Sequence, residues 1–434
     1  MDWRQLIVLV CPPAAGKPPY IKKEIIAFIH IFTYIELRTA FIHPPACTYN
    51  NPSPQRLNMI RLTLLTIIFL VSLLAVFSAP TYHLWLLSIA VAEYAWVFVT
   101  IALVLLMAGF VSSGSYQLAG TLLGISAITL FLSPVYRACK LSEELPAAMD
   151  KALGEQSNKK NGPPFSLWAM LTGIQQRAAP FSAISYRPDT LQSSRMDFYP
   201  AQATGLRPCV IVIHGGSWSS GDNKQLPELN TYLAQRGYHV ASVNYRLAPA
   251  FRNPVPVEDV YAAIDYLRAN AEDLQVDTSN FVLLGRSAGA QIALLAAYRQ
   301  PFSGLKGVID FYGPADMVWG YSAPANPWVM DSRKVLETYL GGNYKAVPDN
   351  YSASSPLEFV NSHSVPTLII HGKNDVLVAY EHSIRLNNKL AANGIKHFFL
   401  SLPWATHGFD YNLNGPGGQL STYAIERFLR NVTE

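Results

Sequence analysis

The chain has 434 residues, half of them hydrophobic and only 14% charged, an apolar excess that an ordinary water-soluble domain does not carry. Its net charge of +4 is small for this length and forms no long basic stripe, which argues against nucleic acid as a partner. The four cysteines, Cys11, Cys47, Cys139 and Cys209, contain no C-x-x-C pair, so neither a disulfide framework nor a structural zinc site is expected.

Residues 1–58 mix Pro-rich stretches with one apolar segment, 25–35, and show no repeat. Met59-Ile60-Arg61 ahead of an apolar run has the pattern of an ordinary membrane-protein start, so residues 1–58 are expected to be a dispensable N-terminal extension. Three apolar runs follow: 62–77, 84–111 (interrupted by Glu93), and 118–132, which contains Gly120 and Gly124. The first two reach or approach the ~20 residues that cross a bilayer, while the third could span, re-enter or pack against them. Residues 59–135 are therefore read as an integral membrane region of two or three spans. Glu93 either sits at an interface ahead of a span starting near Tyr94 or faces the bundle interior, and with no basic partner in view it is assigned no function. Arg56 and Arg61 before the first run, and Arg137, Lys140 and Lys151 after the third, all favour the cytoplasmic side, which an even number of spans satisfies and three do not.

Residues 136–185 are polar and turn-rich, with Asn158-Lys159-Lys160-Asn161-Gly162-Pro163-Pro164 as the clearest linker signal. From 186 to 434 strand-like and helix-like patterns alternate. Strands are expected at 210–213, 240–245, 281–284, 307–312, 367–370 and 397–402, and helices at 229–236, 257–269, 290–298, 381–393 and 420–432. Repeated βα units with short, fully apolar strands imply an α/β fold with a mostly parallel sheet covered on both faces. Chemistry in such sheets collects at the carboxyl ends of the strands.

Four strand ends carry chemically loaded residues. His214-Gly215-Gly216-Ser217-Trp218 follows the first strand, and its consecutive glycines let backbone N–H groups turn toward a ligand. Gly285-Arg286-Ser287-Ala288-Gly289 lies between a strand and a helix, the context in which G-x-S-x-G presents a nucleophilic serine. His371-Gly372-Lys373-Asn374-Asp375 and Pro403-Trp404-Ala405-Thr406-His407-Gly408-Phe409 complete the set, so Ser287, Asp375 and His407 follow three different strands. Asp410 is a second candidate acid, but lies too close in sequence to His407 to approach it from a separate strand end.

From about Ser194 to Glu434 the chain resembles an α/β-hydrolase of the esterase/lipase kind with an HGGxW oxyanion loop. The chain order Ser, Asp, His is that of the fold, and Tyr245-Arg246-Leu247-Ala248-Pro249 and Ser355-Pro356-Leu357 are further matches. The resemblance implies a catalytic triad of Ser287, Asp375 and His407, with backbone N–H groups of Gly216, Ser217 and Ala288 as the oxyanion hole. It implies a small-molecule or lipid ester as substrate and neither metal nor organic cofactor. Gly215 is assigned to the turn, His214 to organising the loop, Trp218 to packing beneath it, and Arg246 to a pairing with Asp259. Arg286 departs from the neutral or acidic residue these esterases often place before the nucleophile; it either favours acidic substrates or pairs with a nearby carboxylate. The long connection 311–366 carries Trp319, Tyr321, Trp328 and Tyr339, as an apolar cap over a pocket would. An arylformamidase-like amide hydrolase, a prenylcysteine methylesterase and a non-catalytic binding module on the same fold are the competing readings. N-terminal sequencing of the native protein is expected to find Met1 absent; its retention would reject the dispensable extension.

Overall fold

The computed structural model describes residues 54–110, 116–154, 162–174, 178–188 and 192–434. The expected extension lies almost wholly outside these residues, as does most of the linker signal at 158–164. Eight strands form one sheet: β1 (Ser182–Ser185), β2 (Arg195–Tyr199), β3 (Arg207–Ile213), β4 (His239–Val243), β5 (Val276–Arg286), β6 (Leu305–Phe311), β7 (Thr367–Gly372) and β8 (His397–Leu402). Their order is β1-β2-β4-β3-β5-β6-β7-β8, with the β1–β2 and β2–β4 pairings antiparallel and the other five parallel. Cys209–Ile213 and Phe281–Leu284 are buried on both faces, which is why they read as continuous apolar runs rather than alternating ones.

The edge pair β1–β2 was not expected, because β1 is exposed along most of its length and β2 is short, so neither shows a strand period. The sheet thus begins before residue 186. β5 also starts earlier than its apolar run. Its first turn of chain is polar, with Ser279 and Asn280 hydrogen-bonded to Asp277, and periodicity cannot flag such a segment.

Four helices precede the sheet: α1 (Pro54–Ser72), α2 (Tyr82–Glu93), α3 (Ala95–Ala108) and α4 (Gln117–Leu153). Two stretches, Gln55–Ala75 and Gln117–Leu153, are long and apolar enough to cross a membrane, and a third is possible only if α2 and α3, bent by 86°, count as one span. Leu70, Met107, Phe110, Leu118 and Leu122 are large apolar side chains left exposed on these helices. Arg61 does not sit ahead of the first span but inside α1, where it donates to the Leu105 carbonyl at 2.8 Å and to Gln117 at 3.0 Å.

Two expectations need correction. Residues 136–153 are helix, not linker: α4 continues through Pro134 and Pro146, and Ala138, Leu145, Met149 and Leu153 recur at helical spacing and are buried with Leu400 and Phe428 against the sheet. Arg427 of the closing helix Pro416–Thr433 pairs with Asp150, fastening α4 further. The run 84–111 is not one continuous helix, because it breaks at Tyr94 with a bend of 86°.

Glu93 sits at the break. Its side chain is fully buried, and its carboxyl group accepts the Gly417 N–H at 2.9 Å in the first turn of the closing helix, while Asn412 donates to its main-chain carbonyl at 2.8 Å. A Cβ at Gly415 or Gly417 would press on the Glu93 side chain, so the sequence Gly415-Pro416-Gly417-Gly418 forms the slot that receives it. A carboxyl oxygen at a helix start satisfies an N–H group that has no partner within the helix. Glu93→Ala is expected to lower stability by about 1–2 kcal/mol, and Glu93→Gln, which keeps the acceptor, by less; thermal unfolding of both variants in detergent checks this, and equal losses would reject the cap.

Candidate active site

The register of β3 against β5 brings the first two motifs together. Ile213 pairs with Gly285, so the chain leaving β3 runs beside the chain leaving β5. Gly285 and Gly289 are needed for close approach rather than for unusual torsions. A Cβ on Gly285 would overlap the Gly289 backbone, and one on Gly289 would overlap the carbonyls of Ile213 and His214. The strain falls on the serine itself: Ser287 has φ +53° and ψ −119°, with its N–H bound to the Phe311 carbonyl at 2.9 Å. Ala288 opens the helix Ala288–Arg299 directly beneath it.

The loop after β3 turns back on itself with φ of +125° at Gly216, +53° at Ser217 and +59° at Trp218. Gly216 has to be glycine, since a Cβ would overlap the Ser220 carbonyl. Gly215 lies so close to the nucleophile that an added Cβ would be 3.4 Å from the Ser287 Cβ, and its N–H is already committed to Gln225 at 2.8 Å. The N–H groups of Gly216, Ser217 and Ala288 have no acceptor among the described residues. Trp218 stacks on Tyr339 at 4.4 Å and donates to Gln291 at 2.9 Å, and its edge also lines the cavity. His214 stacks on Tyr245 at 4.3 Å, with Nδ1 2.7 Å from the Gly215 carbonyl. Arg246 grips Asp259 through its backbone N–H, Nε and Nη2 at 2.8–3.0 Å.

Asp375 and His407 meet across the ends of β7 and β8, with His407 Nδ1 2.6 Å from Asp375 Oδ2. Oδ2 also takes His371 Nε2 at 3.1 Å, and Oδ1 accepts the N–H groups of Leu377 and Val378, each at 2.9 Å. Burial opposes charge on Asp375, but the attraction of His407 and the hydrogen bonds of both histidines outweigh it and hold the carboxyl well below the usual carboxylate range. His407 packs against Tyr312 at 4.3 Å, and no hydrogen bond joins it to Ser287 in the structure.

Asp410 faces elsewhere. It pairs with Arg286 at 2.5 Å and accepts from the Tyr312 hydroxyl, with both charged groups buried. The Arg286 guanidinium lies 5.5 Å over the Phe311 ring, pointing into the core and away from the cavity. Of the two alternatives for this residue, the structure shows the pairing.

A cavity of about 420 Å³ opens beside Ser287, lined by Ser217, Trp218, Ala288 and Asp375 and by the cap segment that includes Met317, Met330 and Leu336. Ser355 ties that cap down by accepting the Met317 N–H and donating to the Tyr351 carbonyl. Tyr339 is buried beneath Trp218, Tyr321 packs edge-on against Tyr351, Trp319 meets His382 edge-on at 4.9 Å, and Trp328 is exposed; none of the four expected cap aromatics lines the pocket, whose cap side is largely aliphatic instead. Several site contacts left no local trace in the sequence. The Trp85 indole N–H donates to the His407 carbonyl at 3.0 Å across 322 residues, and His382, Gln225 and Gln291 reach the site from helices and loops with no motif.

Residues 196–390 match the BD-FAE family model. The chain is 29% identical over 242 residues to the esterase LipC of Mycobacterium tuberculosis, covering 52% of this chain and 58% of that one. It is 34% identical over 232 residues to the isoprenylcysteine alpha-carbonyl methylesterase ICME of Arabidopsis thaliana, covering 49% and 53%. The chain thus spans little more than half the length of these curated relatives. Among solved structures, esterase B of Lactobacillus rhamnosis superposes with a TM-score of 0.53 at 20% identity, covering 69% of this chain and 96% of that one. A bacterial heroin esterase gives 0.52 at 22%, covering 62% and 89%. These likenesses establish the fold.

Burial lowers two histidines of the site from the usual 6.5: His214 to about 4 and His382 to about 3. Both are therefore neutral in the folded protein where the unfolded chain would bind a proton. Their contribution to stability is complete above pH 6.5 and is lost as the pH falls through these lowered values, on the order of 3 kcal/mol for His214 alone. Melting temperature is expected to fall between pH 6.5 and 4, with a shallower fall in His214→Phe, which keeps the stacking on Tyr245; an identical slope would remove His214 from the account.

Proposed function

Residues 196–390 being those of an α/β-hydrolase of the serine-esterase family, we propose that the chain is a membrane-bound hydrolase of carboxylic esters with Ser287 as nucleophile. The observation that carries this reading is the 2.6 Å bond between Asp375 and His407, set at the same edge of the sheet as a strained serine and a loop of inward-turned N–H groups.

His407 takes the proton from Ser287 as its oxygen attacks the ester carbonyl, and returns it to the leaving alcohol. The reading requires a Ser287–His407 bond during the reaction, and such bonds commonly tighten only with substrate in place. Asp375, ionised and held by its other three hydrogen bonds, fixes the His407 tautomer with Nδ1–H toward the carboxylate and stabilises the imidazolium that forms. The N–H groups of Gly216, Ser217 and Ala288 receive the oxyanion, each worth about 3 kcal/mol of barrier by analogy with known donors. Water, activated by the same histidine, then releases the acyl group. Trp85 acts through His407 rather than on substrate, holding the carbonyl of the catalytic loop.

The cavity favours an ester over an acid-bearing substrate. Among the described residues no Lys or Arg lines it, and its carboxylate Asp375 is already saturated with donors. Similarity to the Arabidopsis thaliana isoprenylcysteine alpha-carbonyl methylesterase ICME supports an ester bond as the target.

A fluorophosphonate probe is expected to label wild-type Ser287, and Ser287→Ala to lose both labelling and about ten-thousand-fold or more of turnover. Arg286→Gln is expected to keep the wild-type ranking of neutral and acidic esters while losing stability, since stranding one partner of a buried ion pair costs about 3–5 kcal/mol. Unlabelled folded wild type would overturn the esterase reading, and a changed ranking would return Arg286 to the pocket.

A further inference from the structure

The turn between α1 and α2 reaches the cavity beside Ser287. Ser78, Ala79 and Pro80 line the same cavity as Ser287, Trp218 and Asp375. The turn is held to both sides of the site. Asn326 of the cap donates to the Pro80 carbonyl at 3.1 Å, the Tyr82 N–H donates to the Trp328 carbonyl at 3.1 Å, and Asn374 donates to the Val76 carbonyl at 3.4 Å. Ala79, Trp85 and Ile89 pack with Val376 and Leu377, which follow Asp375, and with Tyr411, which follows His407.

We infer that residues 78–80 are a wall of the substrate cavity, and that the ester this chain hydrolyses carries an uncharged apolar arm running along them toward the lipid surface. The inference rests on the esterase reading of Ser287 and names the substrate class for that site.

Three observations fix the direction and chemistry of the arm. The apolar stretch Gln55–Ala75 ends only three residues before Ser78, and three residues reach at most about 10 Å, so the wall stands within that distance of the end of the span. Large aromatic side chains surround the turn on its outer side: Phe77 is 63% and Trp328 77% exposed, with Tyr82 joined to Trp328 through the main chain. Aromatic rings left in the open beside an apolar helix end match the chemistry of a membrane interface rather than of bulk water. Among the described residues, the cavity between this rim and Ser287 is lined by Met317, Met330, Leu336 and Pro324 with the polar Asn326 and Ser332, and by neither Lys nor Arg. An arm with a charge would be stranded there, whereas an alkyl chain gains from burial.

The wall can be read directly in the full-length protein in phosphatidylcholine vesicles. An alkyl fluorophosphonate bearing a terminal diazirine is attached to Ser287 and irradiated, and the crosslinked peptide is identified by mass spectrometry. Crosslinks to the peptide holding residues 77–82 are expected; crosslinks confined to the cap residues 317–340 would overturn the inference. In parallel, the ratio of kcat/KM for p-nitrophenyl decanoate over acetate is expected to fall at least tenfold in Ala79→Phe and in Ser78→Trp. A labelled wild type whose ratio is unchanged in both variants overturns the wall and leaves the esterase reading standing. A folded wild type that the probe does not label overturns the esterase reading instead.

Discussion

Everything at the site hangs on one approach that admits no side chain. Gly289, in the first turn of the helix below Ser287, sits so close to the carbonyls of Ile213 and His214 that a Cβ cannot be accommodated. That contact, with Ile213 and Gly285 paired across two parallel strands, places the loop of Gly216 and Ser217 beside Ser287. Remove the approach and the loop no longer lies against the serine. The positive φ values at Ser217, Trp218, Ser287 and Tyr312 show where the sheet's otherwise relaxed backbone absorbs the cost.

Around this core, the two acids nearest His407 are each met by opposing groups. Asp375 is ionised because four donors converge on it, two from rings and two from the main chain. Arg286 and Asp410 neutralise each other one layer below, with the Tyr312 hydroxyl completing the carboxylate and the Tyr312 ring packed on His407. Two acids stand near one histidine in the sequence, and the geometry separates their duties: Asp375 orients His407, and Asp410 fixes the layer on which His407 rests.

The N-terminal helices are bound to this machinery rather than merely tethered to it. Glu93 enters a glycine slot at the start of the closing helix, α4 buries its second half under the sheet, and Trp85 holds the carbonyl of His407. The apolar bundle and the loops that carry Asp375 and His407 therefore share contacts. A change in how the bundle sits would be felt first at His407 and at the turn 78–80.

The sequence by itself determined the parallel α/β class, most strand positions and the residues standing at four strand ends, because fully buried strands and glycine-bounded turns leave short-range patterns. It also carried the helical spacing of Leu145, Met149 and Leu153, which polar neighbours obscured. What only the tertiary structure decided are pairings between residues far apart in the chain: that Arg286 turns inward to Asp410, that Glu93 caps a helix more than 300 residues later, and that the turn 78–80 borders the cavity. The physical reason is that a motif records the backbone a residue needs locally. A buried charge or a pocket wall is defined by whatever chain the fold packs against it, and nothing in the neighbouring residues encodes that partner.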